Sequence, residues 1–212
     1  VDHFAETDLD DSDWSMAASI EVPEHLVSPQ VVETNRVHEI ITPSSIEKLG
    51  DGSWLVDMGR NFTGGTRIVF PALPVGHEVT LRYSDHITDG NNELFNMQID
   101  RFISSGREAV FQSRFNYHAY RYLKIENLPV EISLEAIEGQ LIHTGFQEAA
   151  TFSCSDENLN QLNELFAYTL KCLTLGGKIV DCPHYERLGY GGDGNACTIT
   201  AQTLFNLSPL YT

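Results

Sequence analysis

The run HEVTLRYSD, His77 to Asp85, decides the fold class of the middle of the chain. Val79, Leu81 and Tyr83 alternate with Glu78, Thr80, Arg82 and Ser84, the period of two that turns one set of side chains to a core and the other to water. The same grammar surrounds it. SWLVDMG (53–59), TRIVF (66–70) and YRYLKI (120–125) are short, rich in β-branched and aromatic residues, and separated by Gly, Pro, Asn and Asp. Residues 39–145 are therefore expected to form an antiparallel β-sandwich domain.

Before this region the chain is polar. ETDLDDSDW (6–14) is followed by Pro23 and Pro29, so 1–38 reads as the end of a preceding module plus a linker, poorly packed by itself. The opening VDHFAETDLDDSDW has neither a basic n-region nor an apolar h-region, and no run approaches the roughly 20 apolar residues of a membrane span. The chain is expected to begin within a longer protein. No compartment is readable from it.

After about residue 146 the period lengthens to that of a helix. Ser155 is placed to cap a helix in which Leu159, Leu162, Leu165, Phe166 and Leu170 recur at helical spacing, with Gly176-Gly177 as its stop. A second helix is expected over ACTITAQTLFNL (196–207), with Ala196, Ile199, Thr203 and Leu207 on one side, before Pro209. Two helices cannot bury each other's apolar faces well. Residues 146–212 are thus expected to be the N-terminal part of a larger helical domain, giving a multidomain, β-then-α chain.

Composition narrows the function. At 212 residues and 42% hydrophobic content, the chain can bury one substantial core or two small ones. Its formal net charge of -17, from 30 acidic against 13 basic side chains, argues against nucleic acid and against an anionic membrane surface. Cys154, Cys172, Cys182 and Cys197 form no CxxC pair and have no His at a zinc-like offset, so free thiols are expected.

Chemistry gathers in DCPHYERLGYGGDGN, Asp181 to Asn195. Asp181, Glu186 and Asp193 are separated by five and then seven residues, and Gly189, Gly191, Gly192 and Gly194 let the backbone bring them to one point. Convergent carboxylates bind a hard cation, hold sugar hydroxyls, or supply the acid and base of glycoside cleavage. DGN (193–195) hints at a calcium loop but lacks the alternating ligands and terminal Glu of an EF-hand; structural calcium is a minor alternative, and no cofactor is expected. A plainer alternative has Asp181 and Asp193 capping helices and Glu186 paired with Arg187 or Lys178. A glycosidase acid must stay protonated near neutrality, a state that neighbouring Asp181 and Asp193 favour. Arg187 opposes it unless its side chain points elsewhere.

Other residues read as structural. Tyr117, His118, Tyr120 and Arg121 form a packed strand before they form a sugar platform, Trp14 and Trp54 are packing residues, and Arg60-Asn61 before Gly64-Gly65 marks a tight β-turn. Cys182 has no base–orienter pair nearby and is not expected to be a nucleophile.

DCPHYERLGYGGD closely resembles the signature of bacterial α-L-rhamnosidases of glycoside hydrolase family 78, in which D-C-P precedes an E-R-L-G-[WY]-x-G-D segment. DMGRNFTGGTRIVF resembles that family's D-x-G-x-N-x-x-G segment, FNYHAYRYLKI its F-x-Y-H-x-[FY]-R-Y segment, and FSCSDENLNQL its F-x-C-S-[DN] entry to the helical domain, all in family order. VSPQVVETNRVHEI is similar to the family's approach to the β-domain. The resemblance implies a β-sandwich followed by the first helices of an (α/α)6 barrel, and inverting hydrolysis of terminal α-L-rhamnose from rhamnose-containing glycosides or polysaccharides. It implies Glu186 as general acid, Asp181 and Asp193 as holders of rhamnose hydroxyls, Tyr190 lining the sugar subsite, and Arg187 on the substrate side. The family's base is a Glu far downstream, beyond this chain, so the 212-residue piece alone is expected to be inactive and marginally folded over its last 60 or so residues. His184-Tyr185 stand where many members carry Arg. Two readings stay open beside this one: another glycosidase on the same barrel, acting on a uronic acid or glucoside, and a non-catalytic carbohydrate-binding module. The sequence is also compatible with a homo-oligomer.

Overall fold

The computed structural model describes residues 7–21, 28–88, 93–94 and 98–211. The chain divides into two units, Val1–Gln30 and Val31–Thr212. In the first, the amide of Trp14 donates to the carbonyl of Asp11, and the Trp14 ring is 61% exposed, so the packing expected of it is not made. Pro23, read as part of the linker, lies outside the described residues.

The second unit opens with β1 (Asn35–Ile41), β2 (Ser45–Lys48), β3 (Trp54–Phe70), β4 (Glu78–Ser84), β5 (Ile87–Thr88), β6 (Glu93–Leu94), β7 (Gln98–Ile103), β8 (Ala109–Gln112), β9 (His118–Glu126) and β10 (Ile137–Thr144). Apart from the small β5–β6 ladder, these strands form one sheet in the order β1-β10-β3-β9-β4-β7, with β2 and β8 also on β3, and every pairing is antiparallel. The 17-residue β3 carries the design. Its first half, Trp54–Asp57, pairs with β2 and β9; its second half pairs with β10 through Gly64–Ile68 and with β8 through Arg67–Phe70. Between the halves the register with β9 shifts from Asp57 to Phe62, and Gly59 takes φ 80°. A bulge of this kind bends and twists a strand. The strand thus serves two sheet regions around one core, the sandwich arrangement that the alternation predicts.

That core holds Val56, Met58, Phe62, Ile68 and Phe70 of β3, Val79, Leu81 and Tyr83 of β4, and Tyr120, Leu123 and Ile125 of β9. Each such side chain contributes on the order of 1.5–3 kcal/mol when fully buried. Trp54 and His118 are buried as expected, with His118 only 1% exposed and stacked on Tyr83 at 4.1 Å. Asp100 satisfies three donors there: the Tyr83 hydroxyl at 3.1 Å, His118 Nε2 at 2.9 Å and the Ser113 hydroxyl at 3.0 Å. On the face of β4 expected to be wet, Glu78 and Arg82 keep partly exposed side chains, paired with Arg101 and Glu126, while the short Thr80 and Ser84 are buried.

Arg60, Asn61, Gly64 and Gly65 are not a β-turn; they run within β3. A Cβ on Gly64 would stand 1.7 Å from the Gln140 carbonyl oxygen of β10, so the glycine permits a backbone approach that no other residue allows. The bulge also docks the next element. Asn61 accepts from the Tyr168 hydroxyl at 2.8 Å, Arg60 lies 5.0 Å above the Tyr168 ring, and Asp57 grips Arg121 through two bonds of 2.8 and 2.9 Å.

Tyr168 belongs to α1 (Glu157–Leu173), which is followed by β11 (Thr174–Leu175), β12 (Lys178–Ile179) and α2 (Gly192–Leu204). Helix α1 is capped by Asp156, one residue past Ser155, its carboxylate accepting from the Asn158 amide at 2.9 Å. Its C-terminal half packs through Tyr168 and Cys172 on the sheet core and through Phe166 and Leu170 on α2. Leu159, Leu162 and Leu165, expected on the buried face, are exposed, since the first turns of α1 have no element opposite them among the described residues. Helix α2 begins four residues before its expected start and buries Ala201 and Leu204, leaving Ile199 exposed. Among the described residues no helix is long and apolar enough to cross a membrane.

Candidate active site

The acidic stretch starts from a fixed point. Gly176 and Gly177 take φ 60° and 76° in the two-residue turn between Leu175 and Lys178, the pair of positive angles that a tight hairpin demands. The Gly176 amide donates to Asn35 Oδ1 at 2.9 Å and the Gly177 amide to Thr144 Oγ1 at 3.0 Å, while the Thr144 hydroxyl donates to Asn35 Oδ1 at 3.1 Å. The hairpin is thereby pinned to β1 and β10. Val180, fully buried and bonded to Leu173, delivers the chain to Asp181.

From Asp181 the backbone closes on itself. The Asp181 amide donates to the Leu188 carbonyl at 2.9 Å, the Leu188 amide returns a bond to Asp181 Oδ1 at 2.9 Å, and the Arg187 amide donates to the Cys182 carbonyl at 3.1 Å. Closure forces Arg187 to φ 60°, left-handed space that a side chain rarely enters. Gly189 then passes Lys178 so closely that a Cβ would lie 3.0 Å from the lysine Cδ.

This loop brings Asp181 and Glu186 together with Cys182, their ligand-type atoms all within 4.8 Å of one another. The Cys182 thiol donates to Glu186 Oε2 at 2.8 Å and reaches Asp181 Oδ2 at 3.5 Å. Burial and the two carboxylates push the thiol up, which favours its protonated, donating form. Asp181 is held down to about 2: lost solvation raises it, but bonds from the Cys182 amide, the Glu186 carboxyl, the Leu188 amide and the Cys182 thiol outweigh that. One carboxylate of the pair is therefore fixed as an anion beside the other.

Asp193 is not in this cluster. It occupies the exposed first turn of α2, so DGN is helical and not a calcium loop. Tyr185 and Tyr190 stand largely in solvent. The Arg187 side chain points to the sheet: its Nη1 donates to Asn116 Oδ1 at 2.8 Å, and its guanidinium lies 5.0 Å over the Tyr117 ring. Of the FNYHAYRY residues, Asn116 and Tyr117 both meet Arg187 of the loop; burial pushes the Tyr117 phenol up, with Arg187 opposing and Asp181 adding to the rise. Asp85, at the end of β4, lies close enough to His184 to be held down in part by it, burial acting the other way. A cavity of about 230 Å³ runs under Pro183 and His184, between Asn61, Thr63, Tyr168 and Cys172. Asp85 and Asn116 are not singled out as site residues by the sequence, and Tyr117, weighed there for a sugar platform, meets Arg187 instead.

An antiparallel sheet domain is followed by helices, and the paired acids lie on the loop between β12 and α2. Residues 47–143 match the family model of the bacterial alpha-L-rhamnosidase concanavalin-like domain, and residues 147–212 that of the bacterial alpha-L-rhamnosidase 6 hairpin glycosidase domain. The chain belongs to the bacterial α-L-rhamnosidase family. It is 26% identical to an alpha-L-rhamnosidase of Formosa agariphila over 204 residues, 91% of this chain and 21% of that protein, and 26% identical to one of Streptomyces avermitilis over 201 residues, 91% and 19% respectively. The chain thus spans about a fifth of the length of these curated relatives. Among solved structures, the α-L-rhamnosidase of Dictyoglumus thermophilum superposes with a TM-score of 0.87 at 26% identity, covering 96% of this chain and 24% of that one. The Streptomyces avermitilis α-L-rhamnosidase complexed with L-rhamnose gives 0.84 at 24% identity, covering 96% and 20%.

Proposed function

We propose that this chain supplies the sandwich (39–145) and the first helices of an (α/α)6 barrel (146–212) of an inverting α-L-rhamnosidase, with 1–38 as the end of a preceding module. Glu186 is the general acid that protonates the departing glycosidic oxygen. Asp181, kept anionic by its amide and thiol donors, accepts hydrogen bonds from rhamnose hydroxyls, and Asp193 does so from the start of α2. Tyr190 offers its exposed ring to the C–H face of the sugar. Arg187 is left out of the sugar contacts, because Asn116 and Tyr117 engage its guanidinium.

The observation that carries the proposal is the junction of Asp181, Cys182 and Glu186 in a loop closed at both ends. The two acids lie within 4.8 Å, too close for a water to stand between them as inversion needs, at about 6.5–9.5 Å between acid and base. Asp181 is therefore no base for this reaction.

The test is hydrolysis of a natural rhamnosyl disaccharide and an aryl α-L-rhamnoside by the full-length protein carrying this chain, beside its Glu186→Gln variant. The variant is expected to lose roughly 10²–10⁴-fold on the disaccharide and far less on the aryl substrate, whose leaving group hardly needs a proton. Equal losses on both would remove Glu186 from the acid's role. Rhamnose binding without turnover in the wild type would make the site a binding module.

A further inference from the structure

We infer that the sheet loop 113–117 is a working part of the candidate site, with Asn116 and Tyr117 as positioning residues that hold the Arg187 guanidinium away from Glu186. The inference rests on the assignment of Glu186 as the general acid. Arg187 follows Glu186 directly in a chain turn that places it in left-handed space, a conformation that persists only where surroundings impose it. Its own amide is bonded back to Cys182. Its side chain is held by residues far back in the sequence: Asn116 Oδ1, 71 positions away, accepts from Nη1 at 2.8 Å, and the Tyr117 ring lies beneath the guanidinium at 5.0 Å.

The charges around this contact define what release would do. On the loop, Cys182 and Asp181 meet Glu186, and His184 faces Asp85 of the sheet. Lys178 packs its stem under Gly189, and Tyr117 lies in the field of both Arg187 and Asp181. The carboxylates within reach of a freed guanidinium on its own loop are those of Glu186 and Asp181. A cation beside a carboxyl group favours its ionised form, which disables a proton donor as pH rises. The sandwich is thus more than a neighbour of the barrel; it sets the charge felt by the acid.

The full-length protein is to be compared with Asn116→Ala, Tyr117→Leu, Asn116→Asp and Arg187→Gln, together with Asn116→Ala in the Arg187→Gln background. Two readouts are taken: hydrogen exchange of the peptide covering 181–190, and the pH profile of disaccharide hydrolysis. Asn116→Ala and Tyr117→Leu are expected to speed exchange across the loop, to lower kcat about three- to tenfold with KM little changed, and to move the alkaline limb down by about one pH unit. Asn116→Asp retains an acceptor and keeps the slow exchange and the wild-type limb. In the Arg187→Gln background, Asn116→Ala adds no further shift of the limb. Unchanged exchange, an unmoved limb, or a shift that persists without Arg187 would each overturn the inference. If the wild-type protein cleaves no rhamnoside, the assignment of Glu186 falls, while exchange in Asn116→Ala still decides whether the sheet holds the loop.

Discussion

Gly64 and Gly65 are adjacent and chemically identical, yet they answer to different constraints. A side chain on Gly64 would collide with the Gln140 carbonyl, whereas one on Gly65 would find its nearest neighbours at 3.6 Å. Gly64→Ala is therefore expected to cost more than about 3 kcal/mol in thermal or denaturant unfolding, and Gly65→Ala less than about 1 kcal/mol. The sequence offers no means of telling the two apart, because the difference belongs to a partner strand far along the chain. The candidate site divides in the same way. Asp181 and Glu186 are legible from an acid-rich, glycine-spaced loop, since their convergence is local. Cys182 is visible in that loop but its thiol bond to Glu186 is not, and the contacts of Asn116 and Tyr117 with Arg187 come into view only when the fold brings distant residues together.

Among the elements, capping and period were informative to different degrees. The start of α1 was placed within one residue, because a polar cap and an acidic first turn are chemical signals of a helix end. Asp156→Ala is expected to destabilise the folded state by about 1 kcal/mol, and Ser155→Ala by a few tenths, measured as the shift in thermal unfolding followed by circular dichroism. Which face of α1 is buried was less legible. Leucines recur around Leu162 and Leu165, but burial falls on Leu170 and on the half-buried Tyr168 and Cys172, where the sheet and α2 supply neighbours. Periodicity reports that a face is apolar; it does not report what stands opposite. On strand β4 the alternation holds for Glu78 and Arg82, which stay partly exposed, but not for the short Thr80 and Ser84, which are buried.

At the scale of the whole second unit, one aromatic column joins sheet to helices. His38 of β1 stacks on His143 of β10 at 3.6 Å, Phe146 follows at 5.0 Å, and Phe205 lies 4.8 Å beyond. His143 is buried, donates through Nδ1 to the Thr144 carbonyl at 2.7 Å, and is pushed down to about 4 chiefly by burial. Its folded value lies below the unfolded value of about 6.5, so the unfolded chain binds the extra proton between them. Stability from this group is complete above about pH 6.5 and is lost as pH falls through about 4, a change of up to about 3 kcal/mol. Unfolding temperatures taken from pH 7 to 4 are expected to fall steadily, and His143→Gln to flatten that slope.

The Asn35 carboxamide, which accepts from both Thr144 and Gly176, also imposes a timetable on synthesis. Strand β1 emerges from the ribosome early, but its partner β10 and the Gly176 amide emerge more than a hundred residues later. The nascent chain must carry β1 unpaired through most of the sheet's translation, a long-range closure that slows folding. The hairpin's anchor on Asn35 and Thr144 is complete only once β1 and β10 are paired, so the acid-bearing loop depends on that closure.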